Sequence, residues 1–78
     1  MYIYRLRSLS KPSEIYIGMT ENLTVRLAGH NSGQSPHTAK FKPWFYEAVI
    51  WLPSKRKAIK FESYLKSHSG RAFAAKHF

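Results

Sequence analysis

The stretch MYIYRLRSLSKPSEIYIGMT, residues 1–20, decides the fold. The side chains of residues 1–7 alternate in character, which is the period of two that marks a β-strand, and residues 14–18 form a second short β-rich run. Residues 8–13 between them have the composition of a turn. Because this connection is too short for a parallel crossover, we predict that the strands pair as an antiparallel hairpin. The pairing would bring the tyrosines of the two strands close together.

The rest of the chain predicts helices around one more strand. A helix is expected over residues 21–31, with Thr20 or Asn22 to cap its start and Gly33 to end it in a left-handed conformation. The elements expected after it are a polar loop at 32–43, a strand at 45–52, a helix capped by Ser54 that runs to about residue 68, and a short helix over about 70–76. The predicted class is α+β, a three-stranded antiparallel sheet flanked by helices in the order β-β-α-β-α-α. The 78 residues fit one domain, residues 1–78.

The composition excludes several classes of protein. The chain has no cysteine, so it carries neither a disulfide framework nor a zinc-finger spacing. Charges at Arg5 and Arg7 interrupt the apolar segment that a signal peptide needs, and nowhere do about 20 apolar residues run together. We therefore predict a cytoplasmic protein that does not enter a membrane.

The net charge of the chain indicates which class of partner it binds. The chain has 13 Lys and Arg against 4 Asp and Glu, a net charge of +9, and a pI near 10.2. Such a balance is typical of proteins that bind a polyanion, and nucleic acid is the expected partner. A membrane surface is the rival interpretation, but it usually comes with a basic amphipathic helix, and here the basic residues are spread over strands, loops and helices. A third interpretation is that the charge only keeps a small protein soluble.

The first predicted helix carries two candidate site residues. Helical spacing places Leu23, Arg26, Leu27 and His30 on one stripe, so the arginine and the histidine lie beside the apolar face. Arg26 alone could instead be a solvated arginine whose stem covers part of the core. His30 alone could be a residue near the helix C-terminus that interacts with the helix dipole.

The second predicted helix carries an isolated carboxylate. Its exposed side is almost uniformly basic, whereas Ala58, Phe61 and Leu65 form the inward stripe and Glu62 lies at the edge of that stripe. A hard carboxylate in such a position is what a Mg²⁺ site requires. The alternative is an i,i+4 ion pair with Lys66.

The tyrosines also allow two interpretations. Tyr2 or Tyr4 could simply pack on the sheet with its hydroxyl in water. A phenol beside cations could instead act as a general base for water, or orient the water, during phosphodiester hydrolysis.

An ordered set of short segments runs through nearly the whole chain. The segments are Tyr2-Ile3-Tyr4, Tyr16-Ile17-Gly18, the helix from Thr20 to His30, His30-Asn31-Ser32-Gly33, His37-Thr38-Ala39-Lys40, Pro43-Trp44, Phe61-Glu62, Leu65-Lys66-Ser67 and Gly70-Arg71-Ala72. This set resembles the GIY-YIG nuclease superfamily, which includes the incision nuclease of nucleotide excision repair, and within it the small stand-alone single-domain proteins of bacteria. The resemblance implies a three-stranded antiparallel sheet flanked by helices. The chain differs from the family at Tyr2, where the first triplet of the family has glycine.

The resemblance also implies roles for five residues in a metal-dependent endonuclease acting on DNA, favoured over RNA, in repair or recombination. Tyr4 and Tyr16 would face the scissile phosphate from adjacent strands, Arg26 would oppose its negative charge, and His30 would assist. Glu62 would hold one Mg²⁺ or Mn²⁺ ion. One tyrosine, as a phenolate favoured by the cationic surroundings, would activate water, and relatives differ over which one. The expected products carry a 5′-phosphate and a 3′-hydroxyl.

Relatives in this superfamily usually attach a second domain that finds the substrate. The chain by itself is therefore expected to bind weakly and in a salt-sensitive way, through phosphate contacts. The residues expected to make these contacts are Lys40, Lys42, Lys55, Arg56, Lys57, Lys60 and Arg71.

Two other functions fit the same residues. The first is a non-catalytic binding module that grips single strands by stacking on an exposed Trp44 or Trp51. The second is a subunit that is active only with a protein partner, which would supply specificity.

Overall fold

The computed structural model describes residues 1–67, 70, 72, 73 and 76. Its elements are, in chain order, β1 (Tyr2–Ser8), β2 (Ile15–Thr20), α1 (Leu23–Asn31), α2 (Pro36–Ala39), β3 (Trp44–Trp51) and α3 (Lys55–Lys66). Of the short helix expected over 70–76, residues 70, 72, 73 and 76 have helical backbone, and the others lie outside the described residues. Helix α3 ends at Lys66, and its expected end near residue 68 also lies outside them.

The sheet has three antiparallel strands in the order β2-β1-β3. The hairpin register places Tyr4 opposite Gly18 and Leu6 opposite Tyr16. On the other side of β1, Arg5 pairs with Ala48 and Leu6 pairs with Tyr46, so that Glu47 is an extra residue in β3 and forms a bulge. The predicted α+β class, with a hairpin and a three-stranded antiparallel sheet, is confirmed.

Helices cover the sheet on both faces, which is why the central strand is buried on both sides. On one face Ile3 and Ile17 pack against Ala58 and Leu65 of α3. On the other face a second apolar cluster joins sheet and helix, and its members are Tyr4, Leu6, Trp44, Tyr16, Leu23, Leu27, Phe41 and Tyr46. Among the described residues, no helix is long and apolar enough to cross a membrane.

Capping residues set the helix bounds. Asn22 is extended and its side chain accepts a hydrogen bond from the Val25 amide at 3.0 Å, so α1 begins one residue later, at Leu23. The Ser54 side chain accepts from the Lys57 amide at 3.4 Å and caps α3. Gly33 has a φ of +82°, as expected for a left-handed residue that follows a helix.

One element was missed by the sequence analysis. The segment expected to be a polar loop, 32–43, contains the short helix α2. Pro36 is at its first turn, where the fixed φ of proline suits a helix and its missing N–H is not needed. A helix of one turn has no apolar periodicity, so the pattern of the sequence gave no signal for it.

Candidate active site

Tyr4 is the centre of a buried polar network. It lies on the central strand β1 and is 1% exposed. The Nε–H of Arg26 donates a hydrogen bond to the Tyr4 hydroxyl oxygen at 3.0 Å, and Nε2 of His30 lies 3.0 Å from the same oxygen. Both partners come from one face of α1, since residues four apart lie one above the other on a helix. The helix therefore brings a cation and an imidazole to the same phenol.

Burial keeps the Tyr4 hydroxyl protonated. Loss of solvent is the largest effect and raises the pKa of Tyr4 above its ordinary value of 10.0, although the hydrogen bond and the charge of Arg26 act in the opposite direction. Of the two tyrosines that could form the expected phenolate, burial thus disfavours Tyr4. One neighbouring guanidinium does not offset the removal of water from a buried phenol.

His30 is also buried, and both of its ring nitrogens have partners. It is 1% exposed, with Nε2 at the Tyr4 hydroxyl and Nδ1 at 2.8 Å from Oγ1 of Thr38. Burial, and next to it the charge of Arg26, lowers the pKa of His30 below its ordinary value of 6.5. The imidazole is therefore neutral at pH 7, and its hydrogen-bonding partners are the side chains of Tyr4 and Thr38.

Arg26 links the network to solvent. The residue is exposed, yet its Nε is fixed by Tyr4. The hydrogen bond to Tyr4 is the largest effect that raises the pKa of Arg26, and Tyr16 adds a hydrogen bond and a charge effect in the same direction. The site thus has a permanent positive charge on a side chain that is held at one end and open to an anion at the other.

Tyr16 lies between the buried network and helix α3. Its ring centroid is 6.3 Å from that of Tyr4 and 5.1 Å from that of His30. On its other side, Nζ of Lys66 is 5.9 Å from the ring centroid. Tyr16 is half-buried, so unlike Tyr4 it contacts both the network and solvent.

Glu62 joins the same region from α3. Its side chain is 21% exposed, and Oε1 is 3.5 Å from Nζ of Lys66, the cation that lies over Tyr16. Burial is the main cause of the raised pKa of Tyr4, and the negative charge of Glu62 adds the smallest contribution in the same direction. The ion pair with Lys66 that the sequence offered as an alternative is present, and it lies at the site.

Gly18 allows the tyrosines to approach the sheet. It faces Tyr4 across the hairpin, and a Cβ atom built on it would be 2.5 Å from the Tyr4 hydroxyl oxygen, 2.7 Å from Tyr4 Cζ and 3.0 Å from Tyr16 Cε1. A side chain at this position would overlap the phenol that Arg26 and His30 contact. The glycine of the second triplet therefore makes room for the network.

Two polar residues that support the network were not assigned a role from the sequence: one contacts it directly, and the other fixes a neighbouring strand. Thr38, on the unpredicted helix α2, contacts His30 as described above. Asn31, the last residue of α1, holds the start of β3: its Nδ2 donates to the carbonyl oxygen of Trp44 at 3.1 Å, and its Oδ1 accepts from the Trp44 amide at 2.6 Å. Their short polar side chains carried no periodic signal, and only the resemblance to the family marked their segments.

The basic residues expected to bind nucleic acid lie on the surface. Exposed side chains are found at Lys40, Lys42, Lys55, Arg56, Lys57 and Lys60. Arg71 lies outside the described residues. The predicted exposure of Trp44 is wrong, since it is 3% exposed and its Nε1–H donates to the Thr38 carbonyl oxygen at 2.8 Å. Trp51 is 59% exposed, as the stacking hypothesis requires.

The neutral, buried His30 should make the fold sensitive to acid. The unfolded chain binds a proton at this histidine near pH 6.5, whereas the folded chain resists it, so the unfolded state binds more protons as the pH falls below 6.5. We expect neutral His30 to make its full contribution to the free energy of unfolding above pH 6.5. This contribution should be lost as the pH falls through the lowered pKa. Urea unfolding at pH values from 8 to 5 measures how the free energy of unfolding changes with pH. His30→Gln should reduce this dependence, whereas the control His37→Gln, at an exposed position, should leave it unchanged. A His30 ring that titrates at or above 6.5 by NMR would contradict this account.

Comparison with known proteins gives a consistent result. The family model of the GIY-YIG catalytic domain matches residues 1–76. Three fungal proteins, each named structure-specific endonuclease subunit SLX1, are similar in sequence. The protein of Malassezia globosa is 38% identical over 79 residues, covering 95% of this chain and 18% of its own length. That of Debaryomyces hansenii is 39% identical over 71 residues, covering 82% and 20%. That of Scheffersomyces stipitis is 39% identical over 77 residues, covering 88% and 23%.

The chain thus spans about a fifth of the length of these relatives. No solved structure gives a significant match. The family match extends over nearly the whole chain, and it covers the tyrosines, the arginine, the histidine and the glutamate whose geometry is described above. The chain belongs to the GIY-YIG family, as a catalytic domain of that family.

Proposed function

We propose that this domain is a metal-dependent endonuclease that hydrolyses phosphodiester bonds of DNA, in repair or recombination. The observation that carries the proposal is the network in which Arg26 and His30 hold Tyr4, with Tyr16 and Glu62 beside it. The network puts a fixed cation, a half-buried phenol and a carboxylate in one place. These groups suit an in-line attack of water on a phosphate, which needs charge stabilisation and a proton acceptor.

Arg26 is the group that receives the phosphate. Its Nε is bonded to Tyr4, so the guanidinium is pre-oriented while its outer end stays at the surface. A preorganised cation stabilises the charge that develops on the phosphoryl oxygens without reorganising during the reaction. Arg26 would also bind the phosphate in the ground state, through its forked donors.

Tyr16 is the phenol that takes the proton of the attacking water. Tyr4 is 1% exposed, and its oxygen is already bonded to Arg26 and His30, so its role is to orient Arg26. Tyr16 is half-buried beside Arg26, with Lys66 over its ring. As the phenol oxygen takes the proton of water, its own proton passes to solvent, and the positive charges of Arg26 and Lys66 lie beside it.

Glu62 fits a single divalent cation. It is a hard oxygen donor, partly exposed, at the edge of the network, and Lys66 shows that it already attracts a positive charge there. Among the residues that the structure describes, no three His, Cys, Asp or Glu side chains are grouped to hold a metal. Glu62 would therefore be the protein ligand of a Mg²⁺ or Mn²⁺ ion whose remaining ligands are water and phosphate. When bound, such an ion would supply Lewis-acid polarisation of the phosphate.

Tyr16→Phe removes the proton acceptor and keeps the ring. We expect kcat to fall about 10²-fold, since general-base catalysis contributes about 10²–10⁴-fold. DNA binding and the melting temperature should stay close to wild type, because the aromatic packing is unchanged. Single-turnover cleavage with enzyme in excess measures the effect. The control is Tyr64→Phe, which removes an exposed phenol from α3 and should have no effect on the rate. Full activity of Tyr16→Phe would assign the proton transfer to another group.

We propose that the domain selects DNA by its structure, and branched DNA is the form that the test includes for this reason. The support is that the relatives are named structure-specific endonucleases. Their names also call them subunits, which supports a protein partner that supplies specificity to this domain. The exposed basic residues of α3 and of the segment around Lys40 would bind phosphates by charge alone, and this binding carries no sequence preference.

A non-catalytic binding module remains the second candidate function. The observation in its favour is the exposed Trp51 at the end of β3, on a domain with a net charge of +9. A base could stack on the indole while lysines contact the backbone. This function does not depend on a divalent metal or on Glu62.

Cleavage of a substrate panel tests the proposal. Labelled flap, splayed-arm, duplex and single-stranded DNA, with matching RNA, are incubated with the protein at low salt in Mg²⁺, in Mn²⁺ and in EDTA. We expect metal-dependent nicking close to the branch of the DNA substrates and weaker cleavage of RNA. Fluorescence anisotropy on the same substrates reports binding. A folded protein that binds every substrate and cuts none would favour the binding module or the partner-dependent subunit.

A further inference from the structure

We propose that Thr38 is a positioning residue of the cleavage reaction, because its hydroxyl fixes which ring nitrogen of His30 carries the proton and thereby sets the hydrogen bonds of Tyr4 and Arg26. The inference rests on the proposed function for its kinetic part. Thr38 lies on α2, behind His30 as seen from Tyr4. It has no direct contact with Tyr4 or Arg26 among the hydrogen bonds of the described residues, so it acts through His30.

The order of donors along the network follows from Arg26. A guanidinium only donates, so the Tyr4 oxygen accepts from Arg26 Nε–H. The Tyr4 proton then points to the second neighbour of that oxygen, Nε2 of His30, which must accept it. With Nε2 as acceptor, the neutral imidazole carries its proton on Nδ1 and donates to Oγ1 of Thr38 at 2.8 Å. Thr38 in turn donates to the carbonyl oxygen of Ser35 at 3.4 Å. Each donor in this order has an acceptor.

The opposite order leaves a buried donor without a partner. If Thr38 donated to Nδ1, the His30 proton would be on Nε2 and would also point at the Tyr4 oxygen. That oxygen would then accept two hydrogen bonds, and its own proton would have no acceptor among the described residues. An unpaired buried hydroxyl is costly. The observed contacts therefore favour the Nδ1–H form of His30, with Thr38 as its acceptor.

Thr38 is held firmly enough to act in this way. It is buried, and its carbonyl oxygen accepts from Nε1–H of Trp44 at 2.8 Å. The backbone of Trp44 is bonded at both its amide and its carbonyl to the side chain of Asn31. Helix α2 is thus tied to the start of β3 and to the end of α1, the helix that carries His30. The hydroxyl of Thr38 is consequently fixed relative to the imidazole.

Loss of the hydroxyl should reach the reaction through Arg26. Without an acceptor at Nδ1, the Nδ1–H form leaves the Nδ1–H group unpaired, just as the Nε2–H form leaves the Tyr4 proton unpaired. The preference for the Nδ1–H form is therefore lost, and the Nε2–H form becomes populated. The Nε2–H group then competes with Arg26 for the Tyr4 oxygen, which loosens the guanidinium that faces the phosphate. The expected effect is a lower kcat, whereas KM, which depends on the exposed basic residues as well, changes little.

The test compares Thr38→Val, which keeps the shape and removes the hydroxyl, with Thr38→Ser, which keeps the hydroxyl. Long-range ¹⁵N–¹H NMR at pH 7.5 distinguishes Nδ1–H from Nε2–H, and His30→Gln assigns the signal. We expect Nδ1–H in wild type and in Thr38→Ser, and a substantial Nε2–H population in Thr38→Val. Cleavage by Thr38→Val should be about tenfold slower in kcat, with near wild-type rates in Thr38→Ser.

Two results would overturn the inference. The first is a wild-type His30 that carries its proton on Nε2, and this measurement stands even where Thr38→Val does not fold. The second is a folded Thr38→Val that keeps the Nδ1–H form and cuts at the wild-type rate. Failure of the proposed function would give a different result, because neither the wild type nor any variant would cut DNA. The kinetic part of the inference would then fail as well. The NMR measurement would still decide whether Thr38 sets the position of the His30 proton.

Discussion

Replacing Glu62 by glutamine is expected to lower kcat by about 10³-fold or more, while DNA binding is retained or slightly strengthened. The loss follows from the metal, since the neutral amide is a poor ligand for a hard dication and metal-ion catalysis is worth several kcal/mol. Binding should persist because the change removes one negative charge from a domain with a net charge of +9. The fold should tolerate it, because the ion pair with Lys66, itself half-exposed, contributes little to stability. Single-turnover cleavage and fluorescence anisotropy measure the two effects.

Glu14→Gln is the matched control for this change. Glu14 also pairs with a lysine close in sequence, at 3.8 Å from Lys11, but it lies in the turn of the hairpin and not at the site. The Glu14→Gln variant loses the same charge and a similar ion pair as Glu62→Gln. We expect wild-type cleavage from Glu14→Gln. Equal activity of Glu62→Gln and wild type would rule out Glu62 as the metal ligand.

Gly18→Ala is expected to destabilise the domain and to abolish most of the activity. The added methyl group would lie 2.5 Å from the Tyr4 oxygen and 2.7 Å from Tyr4 Cζ. Tyr4 cannot simply rotate away, because it is buried and bonded to Arg26 and His30. Overpacking of this kind costs about 1–3 kcal/mol, which for a domain of this size corresponds to a decrease in Tm of about 4–24 °C. Cleavage should fall about 10²-fold or more, because the phenol that orients Arg26 must move.

Gly29→Ala separates this clash from the general effect of replacing a glycine. Gly29 lies in α1, and among the described residues a Cβ there meets only the Gln34 side-chain oxygen, at 3.1 Å. Alanine is the better helix former by about 1 kcal/mol, so we expect Tm to be unchanged or raised. Thermal unfolding of both variants provides the comparison. A Gly18→Ala protein as stable as wild type would mean that Tyr4 can move at low cost, and that its contacts to Arg26 and His30 are not fixed.

The predictable part of the structure is the part governed by local patterns. The alternation in residues 1–7 and the short turn fixed the hairpin, and with it the proximity of Tyr4 and Tyr16. The i,i+4 spacing on α1 brought Arg26 and His30 to one face, and the same spacing on α3 produced the contact between Glu62 and its lysine. These relations depend on the geometry of one helix or one hairpin, which the sequence determines directly.

The part that could not be predicted depends on contacts between distant segments. Thr38 is buried because Trp44 donates to its carbonyl oxygen and His30 packs against its hydroxyl, and neither contact follows from the order of residues in the loop. The same packing buries Trp44, which contradicts its expected role as an exposed stacking residue. The protonation state of Tyr4 could not be predicted for the same reason. The spacing of the residues predicts nearby cations, but only the packed structure shows how much solvent the phenol loses. Burial in three dimensions thus decided the chemistry of these groups.

The most direct test of the central claim, that this site hydrolyses DNA with metal and water, is cleavage of a labelled flap substrate in H₂¹⁸O with Mg²⁺, followed by mass spectrometry of the product ends. We expect scission that stops in EDTA and a 5′-phosphate that carries one ¹⁸O atom, opposite a 3′-hydroxyl. Scission that continues in EDTA, or no scission of any substrate by a folded protein that binds DNA, would contradict it.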